Sequence, residues 1–125
     1  MNGRSLFDKA MIELGYASAE GISGEEDMLP KALTYINNVY AELYHAYVQK
    51  QGEEDSFIPL ANINDELNLP PFVLNDIAHY GVAMWLAQSE GDADNQALFA
   101  SLYNQKKMRG ARIKKMPSGM PHVWG

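Results

Sequence analysis

The sequence predicts an all-α protein, a small bundle of about four helices with a long polar linker between helices two and three and an irregular C-terminal tail. Two apolar stripes and the breakers between them carry that reading. Leu29, Leu33, Ile36, Tyr40, Leu43 and Tyr47 recur at steps of 4, 3, 4, 3 and 4, and Val73, Ile77, Tyr80, Met84 and Ala87 at 4, 3, 4 and 3. That is the seam a helix presents to neighbouring helices. Between the stripes Gly52, Pro59 and the Pro70-Pro71 pair interrupt any period. With 46% hydrophobic and 21% charged residues, a chain of 125 residues forms one packed core, and its composition is neither that of a disordered segment nor that of a membrane domain.

In chain order, Ser5 is the expected N-cap of a short first helix, with Asp8 in its first turn, Phe7, Ala10, Met11 and Leu14 facing inward, and Gly15 closing it. Residues 16–24, rich in Gly, Ser and Ala, read as a loop. Pro30 is tolerated only near a helix start, so Asp27 is favoured over Ser23 as the cap of the long second helix. Residues 51–71 form the linker, with room for a brief extended piece at Phe57-Ile58. The third helix starts after Pro71 and stops at Gly91, and Asp92 or Asp94 caps a fourth. That helix turns Leu98, Phe99, Leu102 and Tyr103 inward and ends before Gly110. The expected organisation is a helical domain over residues 1–109 and a tail over 110–125.

Charge is distributed unevenly. All sixteen acidic residues lie at or before Asp94, so residues 1–105 carry a net −12, while Lys106, Lys107, Arg109, Arg112, Lys114 and Lys115 give residues 106–125 a net +6. Lys106, Lys107 and Arg109 suit the C-terminal end of a helix dipole, whereas Arg112, Lys114 and Lys115 fall beyond the expected helix and need another account. The absence of cysteine excludes a disulfide scaffold, a thiolate zinc site, an iron–sulfur cluster and a cysteine nucleophile. No apolar run reaches membrane-spanning length, and no signal-peptide pattern or Asn-x-Ser/Thr acceptor is present, which points to the cytoplasm.

Phosphate loops, dinucleotide fingerprints and nucleophile elbows are absent, and no catalytic, cofactor-binding or metal-ligating residue is assigned. Glu42-x-x-His45 and Asp76-x-x-His79 mimic the paired motifs of di-iron bundles. Geometry opposes that use. Relative to their stripe centres, Glu42 and His45 lie roughly 140° and 160° away, Asp76 roughly 60° and His79 roughly 120°, whereas bundle ligands must project inward. Tyr35 lies roughly 120° from the stripe centre of helix two, on the side of Asn38, Glu42 and His45. A single exposed aromatic is ordinary; the alternative is that these four residues contribute to a subunit interface. In the tail, Arg112, Lys114 and Lys115 would steer toward an acidic partner surface, with Met116, Met120 and Trp124 as apolar anchors. The other readings of the tail are that it folds back on its own domain or stays disordered.

Several features together resemble the phage head–tail connector adaptors. They are the short helix ending in Leu14-Gly15, an acidic lead into a long amphipathic helix, a polar linker ending in Leu69-Pro70, the run Ile77-Ala78-His79-Tyr80-Gly81-Val82-Ala83, then Gly91-Asp92 and a last helix with Phe99 and Tyr103. The resemblance covers roughly residues 5–105. It implies a non-enzymatic structural subunit of a phage or prophage, located at the virion's head–tail junction after assembly in the host cytoplasm. Such subunits form a homo-oligomeric ring, commonly twelvefold, below the portal, and meet the portal and a tail or stopper protein. DNA passes through the ring without specific binding, and an acidic body fits a channel that does not grip phosphate. The place of the tail matches C-terminal extensions that dock on the portal. Two competing functions come from other classes. A small helical DNA-binding regulator would use the basic 106–115 stretch, and a metal-dependent hydrolase or oxidase would use the Glu42/His45 and Asp76/His79 set.

Overall fold

The computed structural model describes residues 1–17, 24–50 and 52–115, with the backbone alone for 112–115. Among the described residues the protein is all-helical. Its helices are α1 (Gly3–Leu14), α2 (Glu25–Tyr47), α3 (Pro71–Asp76), α4 (Ala78–Ser89) and α5 (Ala93–Lys115).

The first helix starts earlier than expected. Asn2 is its cap, with Oδ1 accepting from the Ser5 backbone N–H at 2.8 Å, so Ser5 lies inside the first turn. Gly15 does close it, at φ 75°, and Tyr16 N–H reaches back to Met11 O at 3.1 Å. The left-handed turn thereby gives the last carbonyls their donors. Leu6, Phe7, Ala10, Met11 and Leu14 are buried from this helix.

The second helix begins at Glu25, with Gly24 as cap, in place of the expected start at Asp27. Pro30 is therefore its sixth residue, inside the helix. The missing N–H of Pro30 deprives the carbonyl four residues back, and that residue, Glu26, is exposed to water. The buried face is Met28, Ala32, Ile36, Val39, Tyr40, Leu43 and Tyr44. Leu29, Leu33 and Tyr47, expected at the stripe's centre, are half-buried. This rotation arises because α4 covers one side of α2 and the linker covers another. Asn37 accepts Leu60 N–H at 2.8 Å and donates to Leu60 O at 3.0 Å, and Tyr40 Oη accepts Asn68 N–H at 3.0 Å. Phe57 packs on the Tyr40 and Tyr44 rings.

The described linker, residues 52–70, is irregular and forms no strand at Phe57-Ile58, and Pro71 already belongs to α3. Its carbonyls complete α1, since Gly3 N–H donates to Asp65 O at 3.2 Å and Arg4 N–H to Ile63 O at 2.7 Å. Those two donors would otherwise be orphans of the first turn. Leu60, Leu67 and Leu69 fasten the same segment to the core.

Helix three of the sequence reading is two helices. The chain breaks at Ile77 (φ −123°, ψ −53°), after Asn75 and Asp76, which are poor helix formers. The Asn75 carbonyl accepts Lys9 Nζ at 3.1 Å. Beyond the break α4 packs against α1, α2 and α5 at once. Its Ala78, His79, Gly81, Val82, Ala83, Leu86 and Ala87 are all buried, whereas Tyr80 and Met84 of the expected stripe are half-buried. Enclosure on three sides replaces a one-sided stripe.

Asp92 caps α5, accepting Asn95 N–H at 3.3 Å and Asn95 Nδ2 at 2.7 Å, while Tyr16 Oη donates to it at 2.6 Å. These donors, the Tyr16 hydroxyl first, hold the Asp92 carboxyl below the usual carboxylate range. Burial and the Asp92 carboxylate push the Tyr16 phenol up. A carboxyl lowered on folding stabilises the fold above its unfolded value of about 4, and this contribution is lost as pH falls through the lower folded value. Asp92→Ala should therefore cost about 1 kcal/mol at pH 7. It should also flatten the acid limb of the Tm-against-pH curve; an unchanged acid limb would mean that Asp92 is not a source of it.

The fourth predicted helix does not end before Gly110; α5 runs through it to Lys115. Gly110 is a contact residue, since an added Cβ would strike Tyr47 Oη and lie 2.9 Å from Ile77 Cδ1. Tyr47 Oη donates to Lys107 O at 2.9 Å across this approach. The glycine lets α5 pass close to α2 and the α3–α4 break. Phe99 and Tyr103 are buried as expected and Leu102 is half-buried, but Leu98 is 52% exposed.

Candidate functional site

Three of the four residues singled out on α2 gather at one face, formed by α2, α4 and α5. Tyr35, expected to point away from the stripe on the side of Asn38, Glu42 and His45, is half-buried and stacks on Trp85 of α4, with centroids 5.7 Å apart and planes 11° from parallel. Asn38 and Glu42 line a cleft of about 300 Å³ with Met84, Trp85, Tyr103, Asn104 and Lys107. Glu42 is the electrostatic centre of this face. Its carboxylate accepts the Tyr103 hydroxyl and, at 3.1 Å, Lys107 Nζ, which also lies 4.2 Å from the Tyr103 ring centroid. Burial above all, and then the Glu42 carboxylate, push the Tyr103 phenol far above its ordinary range. Tyr103 thus remains a neutral donor, and the cluster holds α2 and α5 together.

His45 turns to the linker instead. Its Nε2 lies 3.0 Å from Asp55 Oδ1, and its ring packs 5.7 Å from that of Phe57. The Phe57 backbone N–H, then His45, hold the Asp55 carboxyl below the usual range.

The four residues of the di-iron-like set are dispersed among five different partners. Glu42 meets Tyr103 and Lys107, His45 meets Asp55, Asp76 accepts Lys106 Nζ at 3.1 Å, and the His79 ring lies 2.8 Å from the Glu13 carboxylate. The direction read for His79 needs correction. It is 3% exposed, because α1 covers the side of α4 opposite the expected stripe. Among the described residues no three His, Asp or Glu side chains converge on a point that could hold a metal ion.

The basic stretch also changes roles. Lys106 and Lys107, assigned to the helix dipole from sequence, sit well before the end of α5 and are paired with Asp76 and Glu42. Arg112, Lys114 and Lys115, expected beyond the helix, belong by backbone to its last turn. Met116, Met120 and Trp124 lie outside the described residues.

Sequence reasoning missed Trp85, Met84 and Asn104 as members of this face, and placed Tyr103 only in the core. The available signal was the pairing of Tyr103 with Lys107 at helical i, i+4 spacing, opposite Glu42. No described helix is long and apolar enough to cross a membrane. Comparison with models of protein families, with curated proteins and with solved structures finds no significant match to this chain.

Proposed function

We propose that this protein is a structural head–tail connector adaptor, a subunit that forms a ring below a portal and joins the head to the tail. The observation that carries the reading is the α2/α4/α5 face. A stacked, half-buried Tyr35–Trp85 pair beside exposed Asn38 and Glu42 has the mixture of aromatic and polar groups common at subunit contacts. The short α1 ending at Gly15, the long α2 after an acidic lead and the last helix with Phe99 and Tyr103 support the same reading, whereas the helix expected to carry residues 77–83 is divided at Ile77 into α3 and α4. In this proposal the ring is twelvefold, its partners are the portal and a tail or stopper protein, and the assembled subunit resides in the virion. The cationic end of α5 and the residues after it would meet the portal.

The charge pattern weighs against a DNA-binding regulator. Lys106 and Lys107 are occupied by carboxylates of their own domain, and the body through residue 105 carries an excess of twelve acidic groups. Phosphate binding needs cations free to displace counterions.

Electron microscopy of the purified protein mixed with its portal should reveal closed rings. Replacing Tyr35 with Ser removes the aromatic stack on Trp85, worth about 1 kcal/mol. It should leave a folded subunit by circular dichroism while reducing the fraction assembled. Undiminished assembly would return this face to ordinary solvated surface, and DNA binding with a steep salt slope at physiological ionic strength would favour the regulator.

A further inference from the structure

Asn2 and Gly3 form the one Asn-Gly pair in the chain, and each of the other eight asparagines precedes a residue with a side chain. Two separate demands of the fold put the pair there. Asn2 is needed as the cap of α1, with Oδ1 accepting Ser5 N–H at 2.8 Å. Gly3 is needed because a Cβ would lie 2.7 Å from the Ile63 carbonyl oxygen and 3.1 Å from Leu60 Cδ1. The outcome is the dipeptide in which backbone attack on an asparagine side chain is least hindered, since glycine has no Cβ to block the approach and leaves the backbone free to turn.

The folded protein restrains both reacting groups. Gly3 is buried and its N–H donates to Asp65 O at 3.2 Å, which withholds its proton from solvent. The bond from Ser5 holds the Asn2 carboxamide on the first turn of α1, and Asn2 pairs with Glu66 in an antiparallel bridge. On either side, Arg4 N–H donates to Ile63 O at 2.7 Å and Leu67 N–H to Met1 O at 3.1 Å. Apart from the cap itself, these restraints all come from residues 63–67 of the linker. Release of that segment therefore frees the pair while α2, α4 and α5 stay packed.

We propose that Asn2-Gly3 is a site of spontaneous deamidation gated by the linker. Once the linker lets go, the Gly3 amide loses its proton to solvent and its nitrogen attacks Asn2 Cγ. The new N–C bond closes a five-membered succinimide, and the side-chain nitrogen leaves as ammonia. Water then opens the ring at one of two carbonyls. Breaking the N–Cγ bond gives aspartate at position 2, and breaking the bond to the backbone carbonyl carbon gives isoaspartate, in which the main chain runs through Cβ and Cγ. Aspartate is as good a cap as asparagine and suits the positive end of the helix. Isoaspartate lengthens the main chain by one carbon between residues 2 and 3, so the bridge to Glu66 and the Gly3 bond to Asp65 cannot both re-form. The isoaspartyl product thus turns a reversible release of the linker into a permanent one. The proposal does not rest on the connector reading.

Full-length protein is aged in mildly alkaline buffer, with and without guanidinium chloride. The N-terminal peptide is followed by mass spectrometry, and isoaspartate is counted by enzymatic methylation. In denaturant Asn2 should deamidate ahead of the other asparagines, and on the order of tenfold or more faster than in the folded protein. Leu67→Ala loosens the buried anchor of the linker without touching the pair, and should raise the folded-state rate severalfold. Leu43→Ala weakens the core away from this contact and should leave that rate within about twofold. Equal rates with and without denaturant, or a Leu43→Ala effect as large as that of Leu67→Ala, would overturn the proposal. A second comparison stands even if Leu67→Ala fails to fold. Asn2→Asp should keep the parent Tm, whereas the isoaspartyl form separated from aged protein should melt lower; equal melting of the two would count equally against the proposal.

Discussion

Leu43→Ala is expected to destabilise the protein by about 3 kcal/mol, seen as a fall in Tm on the order of 10 °C or a lower urea midpoint with an unchanged slope. Leu43 is 0% exposed, on the α2 face that also buries Ile36, Val39 and Tyr40. Truncation removes apolar contacts and leaves a cavity that two-sided packing of α2 cannot readily close. Ile58→Ala is the matched control, because Ile58 is 78% exposed on the linker and its loss should change stability by less than about 0.5 kcal/mol. A cost under about 1 kcal/mol at Leu43 would mean that α2 presents a different face to the core.

Gly81→Val should be at least as damaging, about 3 kcal/mol or more, for the opposite physical reason. A Cβ on Gly81 would lie 2.9 Å from Cε1 and Cζ of Tyr103 and 3.0 Å from Cγ2 of Val39. The Tyr103 ring cannot simply swing aside, because its hydroxyl is held by Glu42 and its face is covered by Lys107. Gly81→Ala sets a gain of about 1 kcal/mol in helix propensity against an overpacking cost of about 1–3 kcal/mol, and should come out mildly destabilising. Both substitutions push α5 away from α4, so the fluorescence of Trp85, which lines a cleft with Tyr103, should change with them. A Gly81→Val protein as stable as the parent would mean that the three helices are farther apart than described.

These two sites also mark what was legible in the sequence. The Leu43 stripe could be read because α2 has a water-exposed side, and one-sided burial leaves a periodic trace. Gly81 could not be read in that way. Helix α4 is enclosed by three others, so its residues are selected for size more than for polarity, and the pattern degrades into Ala78, Gly81, Ala83 and Ala87. The same enclosure hid the burial of His79. Gly110 misled for a related reason, since a glycine that ends a helix and a glycine that permits a close approach look alike until the neighbours Tyr47 and Ile77 are in place. At the interaction face, Tyr35, Asn38 and Glu42 were legible as one side of one helix. Trp85, Tyr103 and Lys107 come from elements whose rotation about their axes depends on tertiary packing, which local spacing does not encode.

The way α1 is completed also bears on the order in which the molecule assembles. Helices α4 and α5 are joined through a short turn at Gly91-Asp92 and can zip together as neighbours. The first turn of α1 instead waits for carbonyls of Ile63 and Asp65, about sixty residues away in the chain, and Leu67 N–H returns the contact to Met1 O. Closing so long a loop costs entropy before any contact rewards it. The N-terminal segment and the linker are thus a late-forming and early-opening pair. The amides of Gly3, Arg4 and Leu67 should exchange with solvent as one group, and sooner than those of the enclosed α4, which exchange only when the whole fold opens.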